Sequence, residues 1–207
     1  QPMKSPIKEL LVSAILFLPL CFFIWFYAAP LLVLPVKYLA ETALLLWQND
    51  LFNGINQQGF LLNVETLIFP KDANVGTVSQ IAVLDVVVNP MKYGYGLAVF
   101  VGLVISLPNT STRYRLLQVV IGYVLVCLIQ ANGIFWETCK NLLMEGGPEG
   151  AAAINQTGIS HDLVAAMYQM SYLIFPAVLP VIAWVLLNRR FVEDITNFNN
   201  KRSLHKP

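Results

Sequence analysis

Charge is what this sequence has least of. Only 12% of its 207 residues are Asp, Glu, Lys or Arg, against 57% hydrophobic, and the mean hydropathy is +0.62. A soluble domain carries about 25% charged residues, so a charged, water-facing surface is excluded, and no nucleic-acid partner is expected. Cysteine and histidine are scarce as well. The three cysteines, Cys21, Cys127 and Cys139, are an odd number without metal-ligand spacing, and there are two histidines. No paired cysteine cluster, HExxH, Walker loop or internal repeat is present, so no metal and no cofactor are expected. Cys21 and Cys127 fall in apolar runs, where cysteine acts as a small hydrophobic residue; Cys139 falls at a helix mouth.

Apolar length is what the chain has. A helix crosses roughly 30 Å of hydrocarbon with about 20 mostly apolar residues, and such stretches lie near 8–29, 93–108, 115–136 and 163–188. The first follows Lys4 and Lys8 but is longer than a secretory signal core and dense in aromatics, so it is expected to be a retained anchor. The fold class expected is a mainly α membrane protein with about four transmembrane helices, an outer amphipathic helix and a small antiparallel β hairpin. The divisions expected are 1–29, an N-terminus and first helix; 30–90, an outer segment; 91–190, a three-helix region with an outer loop at 137–162; and 191–207, a tail.

The near-neutral total hides a polarised chain. Lys4, Lys8, Arg113, Arg115, Arg189, Arg190, Lys201, Arg202 and Lys206 fall on one side with Glu9, Glu193 and Asp194. The other side holds four basic and nine acidic residues. The positive-inside rule then puts both termini and the loop PNTSTR in the cytoplasm of a bacterial inner membrane, with 30–92 and 137–162 outside.

Within LLVLPVKYLAETALLLWQNDL, Val36, Leu39, Ala43, Leu44 and Trp47 recur at helical spacing, with Lys37, Glu41 and Gln48 elsewhere. That is the pattern of an amphipathic helix that lies along the interface, with Trp47 as anchor, or dips in and out; as a further full span it would carry Lys37 and Glu41 into hydrocarbon. In FLLNVETLIF the period changes to two, with Phe60, Leu62, Val64 and Ile68 on one face, and SQIAVLDVVV is rich in β-branched residues. An antiparallel pair at about 59–69 and 79–88 is expected, joined by the turn-forming PKDANVGTVS. A lone hairpin is marginal in water, so it must rest on the membrane region, the helix or a partner. The loop EGGPEGAAAINQTGIS is expected to be irregular, and its Asn155-Gln156-Thr157 matches a glycosylation sequon.

Asn89-Pro90 stops the second strand. Asparagine is a good N-cap and proline suits the first helical turn, so the pair is expected to start a helix whose Tyr93 and Tyr95 sit at the outer interface. On the third span Gln130, Gly133 and Glu137 share one stripe, with Asn132 and Trp136 close by. Polar groups in a span turn inward, either to bond neighbouring helices or to line an outer pocket. On the fourth, His161 and Asp162 stand at the outer start above Tyr168, Gln169 and Tyr172. Asp162 suits a helix N-terminus. Cys139 lies on the same side as His161, so a Cys–His pair is topologically allowed.

The order of parts, from anchor to outer helix, β element, a helix starting outside, RYRLLQVVIGYVLVCLIQANGIFWE, a loop and a histidine opening the last helix, resembles the exosortase/archaeosortase family over residues 10–190. The resemblance implies a membrane cysteine transpeptidase that processes C-terminal anchors of exported proteins with Cys, Arg and His at the outer face. Here, however, Asn89-Pro90 occupies the cysteine position, Asn132 has no following arginine, and only His161 has a counterpart. The nearest likeness is therefore to the exosortase H-associated membrane proteins. It implies a non-enzymatic accessory protein that binds an exosortase or its substrate, with Asn89, Tyr93, Tyr95, Gln130, Asn132, Trp136, Glu137, Asp162 and Tyr168 as partner or pocket residues. Two readings compete with it. One is a divergent membrane cysteine protease or transpeptidase using Cys139 and His161; the other is a structural subunit of a respiratory or secretion complex. All three place the chain among lipids and other membrane proteins.

Overall fold

The structure, a computed structural model, describes residues 6–69, 83–108 and 110–203. It is mainly helical, with one three-stranded antiparallel sheet. Among the described residues, Ile7–Tyr27, Ala29–Trp47, Thr112–Met144 and His161–Leu187 are long and apolar enough to cross a membrane, while Met91–Ile105 is apolar but shorter. The mainly α membrane architecture is thus as expected, and two segments differ from expectation in helix length. The 93–108 stretch is interrupted at Tyr95, between Gly94 and Gly96, into α4 (Met91–Gly94) and α5 (Gly96–Ile105). The interfacial segment instead forms α2 (Ala29–Leu32) and α3 (Leu34–Trp47), separated only by Val33. Glu41, whose charge counted against such length, is occupied: its carboxylate accepts the Ile55 amide at 3.1 Å.

By contacts the chain forms two compact units. The first comprises residues 1–27, 95–126 and 177–207. Here α1 (Pro6–Tyr27) packs on α5, and a Cβ at Gly102 would come within 2.7 Å of the Leu18 side chain, so glycine is what lets these helices approach. Phe100, Val104, Leu107 and Trp184 form the core of this unit. The outer side of α1 exposes Val12, Ile15, Leu16, Phe23 and Phe26, an apolar surface too large for water.

The second unit comprises residues 28–94 and 127–176. Along α3 the buried residues are Val36, Ala40 and Leu44, one turn apart, and α3 packs on β1. Leu39 and Ala43, which recur with them at helical spacing, are exposed. Strands β2 (Leu61–Thr66) and β3 (Asp85–Val88) pair antiparallel, Val64 opposite Val86, as the alternation predicts; Leu62, Val64 and Ile68 are buried. The expected connector lies outside the described residues. A further strand, β1 (Phe52–Gln58), pairs with β2 through a bulge between Phe52 and Gly54, making three strands where a hairpin was expected. On the polar face Asn53 and Asn56 donate to Glu65, and Asn63 donates to Asp85.

Past α6 (Thr112–Met144), the loop expected to be irregular contains α7 (Gly147–Gln156). Three alanines are strong helix formers, Pro148 occupies the first turn, and Gly147 takes φ +67° to begin it. Ser160 caps α8 (His161–Gln169) by accepting the Leu163 amide at 3.2 Å. The helix then widens into a π-turn at Met170–Ile174, immediately before Pro176, whose missing N–H and ring bulk disfavour regular α continuation.

Candidate functional site

Within the second unit the Asn89-Pro90 junction is built as a clamp. Asn89 Oδ1 accepts the Met91 amide at 3.0 Å, and Tyr93 N donates to Pro90 O at 3.0 Å, so α4 begins where the sequence places it. Its side chains meet α6 on the polar stripe. Gln130, Gly133 and Glu137 lie three and four residues apart and therefore share one face. Gln130 donates to the Pro90 carbonyl at 3.0 Å. Gly133 leaves room for the Tyr93 ring, because a Cβ there would sit 2.5 Å from Tyr93 Cγ. The Tyr93 hydroxyl donates to Glu137 Oε2 at 2.6 Å, and Lys92 Nζ pairs with Glu137 Oε1.

Burial makes this set consequential. Tyr93 is fully buried and the Glu137 side chain is only 6% exposed, while Lys92 remains 32% exposed. A buried carboxylate is tolerated when a counter-charge and hydrogen bonds satisfy it; here Lys92 and Tyr93 do both. With both oxygens engaged, Glu137 is held as an acceptor in a closed network. Tyr93 also meets Tyr172 edge-on at 6.4 Å, Tyr172 stacks on Tyr168 at 6.1 Å, and Lys140 Nζ stands 5.4 Å from the Tyr168 ring centroid. Beside this ladder Asn132 Nδ2 donates to Ser171 Oγ at 2.7 Å, and Asn132 Oδ1 accepts from Trp136 Nε1 at 3.2 Å. Ser171, in the π-turn, in turn donates to Met167 O.

The structure therefore brings together Asn89, Tyr93, Gln130, Asn132, Trp136, Glu137 and Tyr168. Tyr93, expected as an interfacial ring, is inside the unit. Tyr95 precedes α5 and belongs to the first unit, and Asp162 is exposed in the first turn of α8. Cys139 is fully buried, whereas His161 is exposed and bonds Asn155 Oδ1 at 2.6 Å. No hydrogen bond joins Cys139 to His161 among the described residues. Nor do those residues contain three His, Cys, Asp or Glu grouped to hold a metal.

Sequence reasoning missed Lys92 and Ser171. Lys92 was legible in part: it adjoins Tyr93, and Glu137 is the one acid on the facing stripe. Ser171 had no signal, because its partner Asn132 lies 39 residues away in sequence.

A family model described as exosortase H-associated membrane protein matches residues 4–191. No curated protein and no solved structure matches. The chain belongs to the exosortase H-associated membrane protein family.

Proposed function

We propose, from that membership, that the chain is a non-enzymatic accessory protein of the bacterial inner membrane that acts beside an exosortase-type transpeptidase or its anchor-bearing substrates. One observation carries the reading: the residues at the positions where peptidase chemistry is expected are engaged in structure. Asn89 caps α4, Asn132 is shared between Ser171 and Trp136, and His161 is bonded to Asn155. A nucleophilic thiol must be reached by both substrate and base, and full burial of Cys139 opposes both.

The same unit carries features suited to a protein partner. The outer strand β3 has one side without a strand partner among the described residues, and such an edge accepts an added strand, whereas α3 covers β1, with Glu41 on the Ile55 amide. Tyr172 presents a partly exposed ring, continuous with the Tyr168 and Lys140 ladder. Basic residues at both ends of the chain favour cytoplasmic termini by the positive-inside rule.

The test is purification of the full chain in mild detergent from cells that also express an exosortase H-class enzyme. The enzyme, or its anchor-bearing substrate, is expected to co-purify. Recovery of a lone chain, or of respiratory or secretion subunits in their place, overturns the proposal.

A further inference from the structure

In the first unit, α9 (Phe175–Leu187) gives way to α10 (Arg189–Ser203) at Asn188. Two sets of bonds fix that turn against the start of α6. The Tyr114 hydroxyl donates to Leu187 O at 2.7 Å, and Gln118 and Asn188 exchange side-chain amide bonds at 2.8 and 2.9 Å. Gln118 and Asn188 are both buried, and each amide is satisfied by the other.

Over this floor opens a cleft of about 670 Å³, with Ser111 and Tyr114 on one side and Leu186, Arg189, Arg190 and Phe191 on the other. The volume lies within the roughly 300–1,000 Å³ of small-molecule sites. Its chemistry is divided: two guanidinium groups and two hydroxyls, beside apolar walls at the end of the membrane-length stretch His161–Leu187. Arg189 bonds Glu193 at 2.7 Å, with both side chains well exposed, so that pair is weak and exchangeable. Arg190 has no ion pair among the described residues. Arginine forks match phosphate oxygens with two hydrogen bonds, the Ser111 hydroxyl adds a donor, and Leu186, 68% exposed, offers an apolar surface on which an acyl chain can lie.

We propose that this cleft binds the phosphate headgroup of an anionic membrane lipid, with Arg189 and Arg190 on the phosphate and Leu186 and Phe191 against the chain. The inference concerns the first unit only and stands independently of any exosortase partner.

The test is retention of fluorescent phosphatidylglycerol by the full chain reconstituted in phosphatidylcholine nanodiscs. Arg189→Gln together with Arg190→Gln is expected to lower retention about tenfold, since each basic residue near an anionic lipid contributes substantially. Arg113→Gln, which removes one charge outside the cleft lining, is expected to change it less than about twofold and less than Arg190→Gln alone, which removes one charge inside it. Leu186→Trp, which narrows the cleft at unchanged charge, is also expected to reduce retention. Undiminished retention in the double variant, or in Leu186→Trp, overturns the proposal. Loss in Arg113→Gln equal to that in the double variant means diffuse attraction and overturns it too. Displacement of the lipid by millimolar inorganic phosphate overturns it in favour of a free-anion site.

Discussion

Tyr93 and Glu137, 44 residues apart in sequence, are joined by a 2.6 Å hydrogen bond with the tyrosine fully buried. Because Lys92 takes the other carboxylate oxygen, one acid on α6 fastens both polar side chains of α4. The network is a lock between two elements, and its consequences are measurable.

Tyr93→Phe removes the hydroxyl and leaves Glu137 only Lys92. A buried group that loses one partner costs about 1–2 kcal/mol when another remains. Thermal unfolding in detergent should show that loss. Glu137→Leu should cost more, because it strands both the tyrosine hydroxyl and the lysine, although the part-exposed Lys92 limits the excess. Equal midpoints for Tyr93→Phe and the unmodified chain would contradict the lock.

Gly133→Ala places a methyl group 2.5 Å from the Tyr93 ring. Overpacking of this kind costs about 1–3 kcal/mol. Tyr93→Phe in the same chain should not relieve it, because the clash is with the ring itself, whereas Tyr93→Ala, which lacks the γ and δ carbons in contact, should relieve it. A double-mutant cycle on thermal midpoints distinguishes the two cases.

Gln118→Leu leaves the amide of buried Asn188 without its reciprocal partner. The expected cost is about 1–3 kcal/mol. Asn188 keeps its bond to Trp184 O at 2.9 Å, so Gln118→Leu with Asn188→Leu should recover most of the loss. Additive losses in the double variant would count against a coupled pair.

Cys139 should resist a thiol reagent at neutral pH in the folded protein and react after denaturation, since its side chain is fully covered. Rapid labelling of the native chain at Cys139 would revive a thiol enzyme.

What was legible in the sequence follows from how local each signal is. Asn89 caps because asparagine and proline carry their preferences with them, and the Gln130, Gly133 and Glu137 stripe follows from helical periodicity alone. The β2 and β3 pair follows from alternation. Strand β1 escaped because FNGINQQ is mostly polar and its bulge breaks the two-residue period. Which of the apolar residues of α3 turn to the protein was not legible: Leu39 is apolar yet exposed, and in a chain bathed in lipid, apolarity does not distinguish inside from outside. Ala40 is buried because it is small and lies between Val36 and Leu44 on the side that meets the sheet. The Tyr93 position depends on its partner 44 residues away, which no local pattern contains.

The most direct measurement is C-terminal anchor processing of exosortase substrates in cells that lack this chain, complemented with Cys139→Ser/His161→Ala. An accessory role predicts that deletion impairs processing and that the doubly substituted chain restores it in full. Failure to restore it, with the variant present at normal level in the membrane, or unimpaired processing in the deletion itself, would contradict the account.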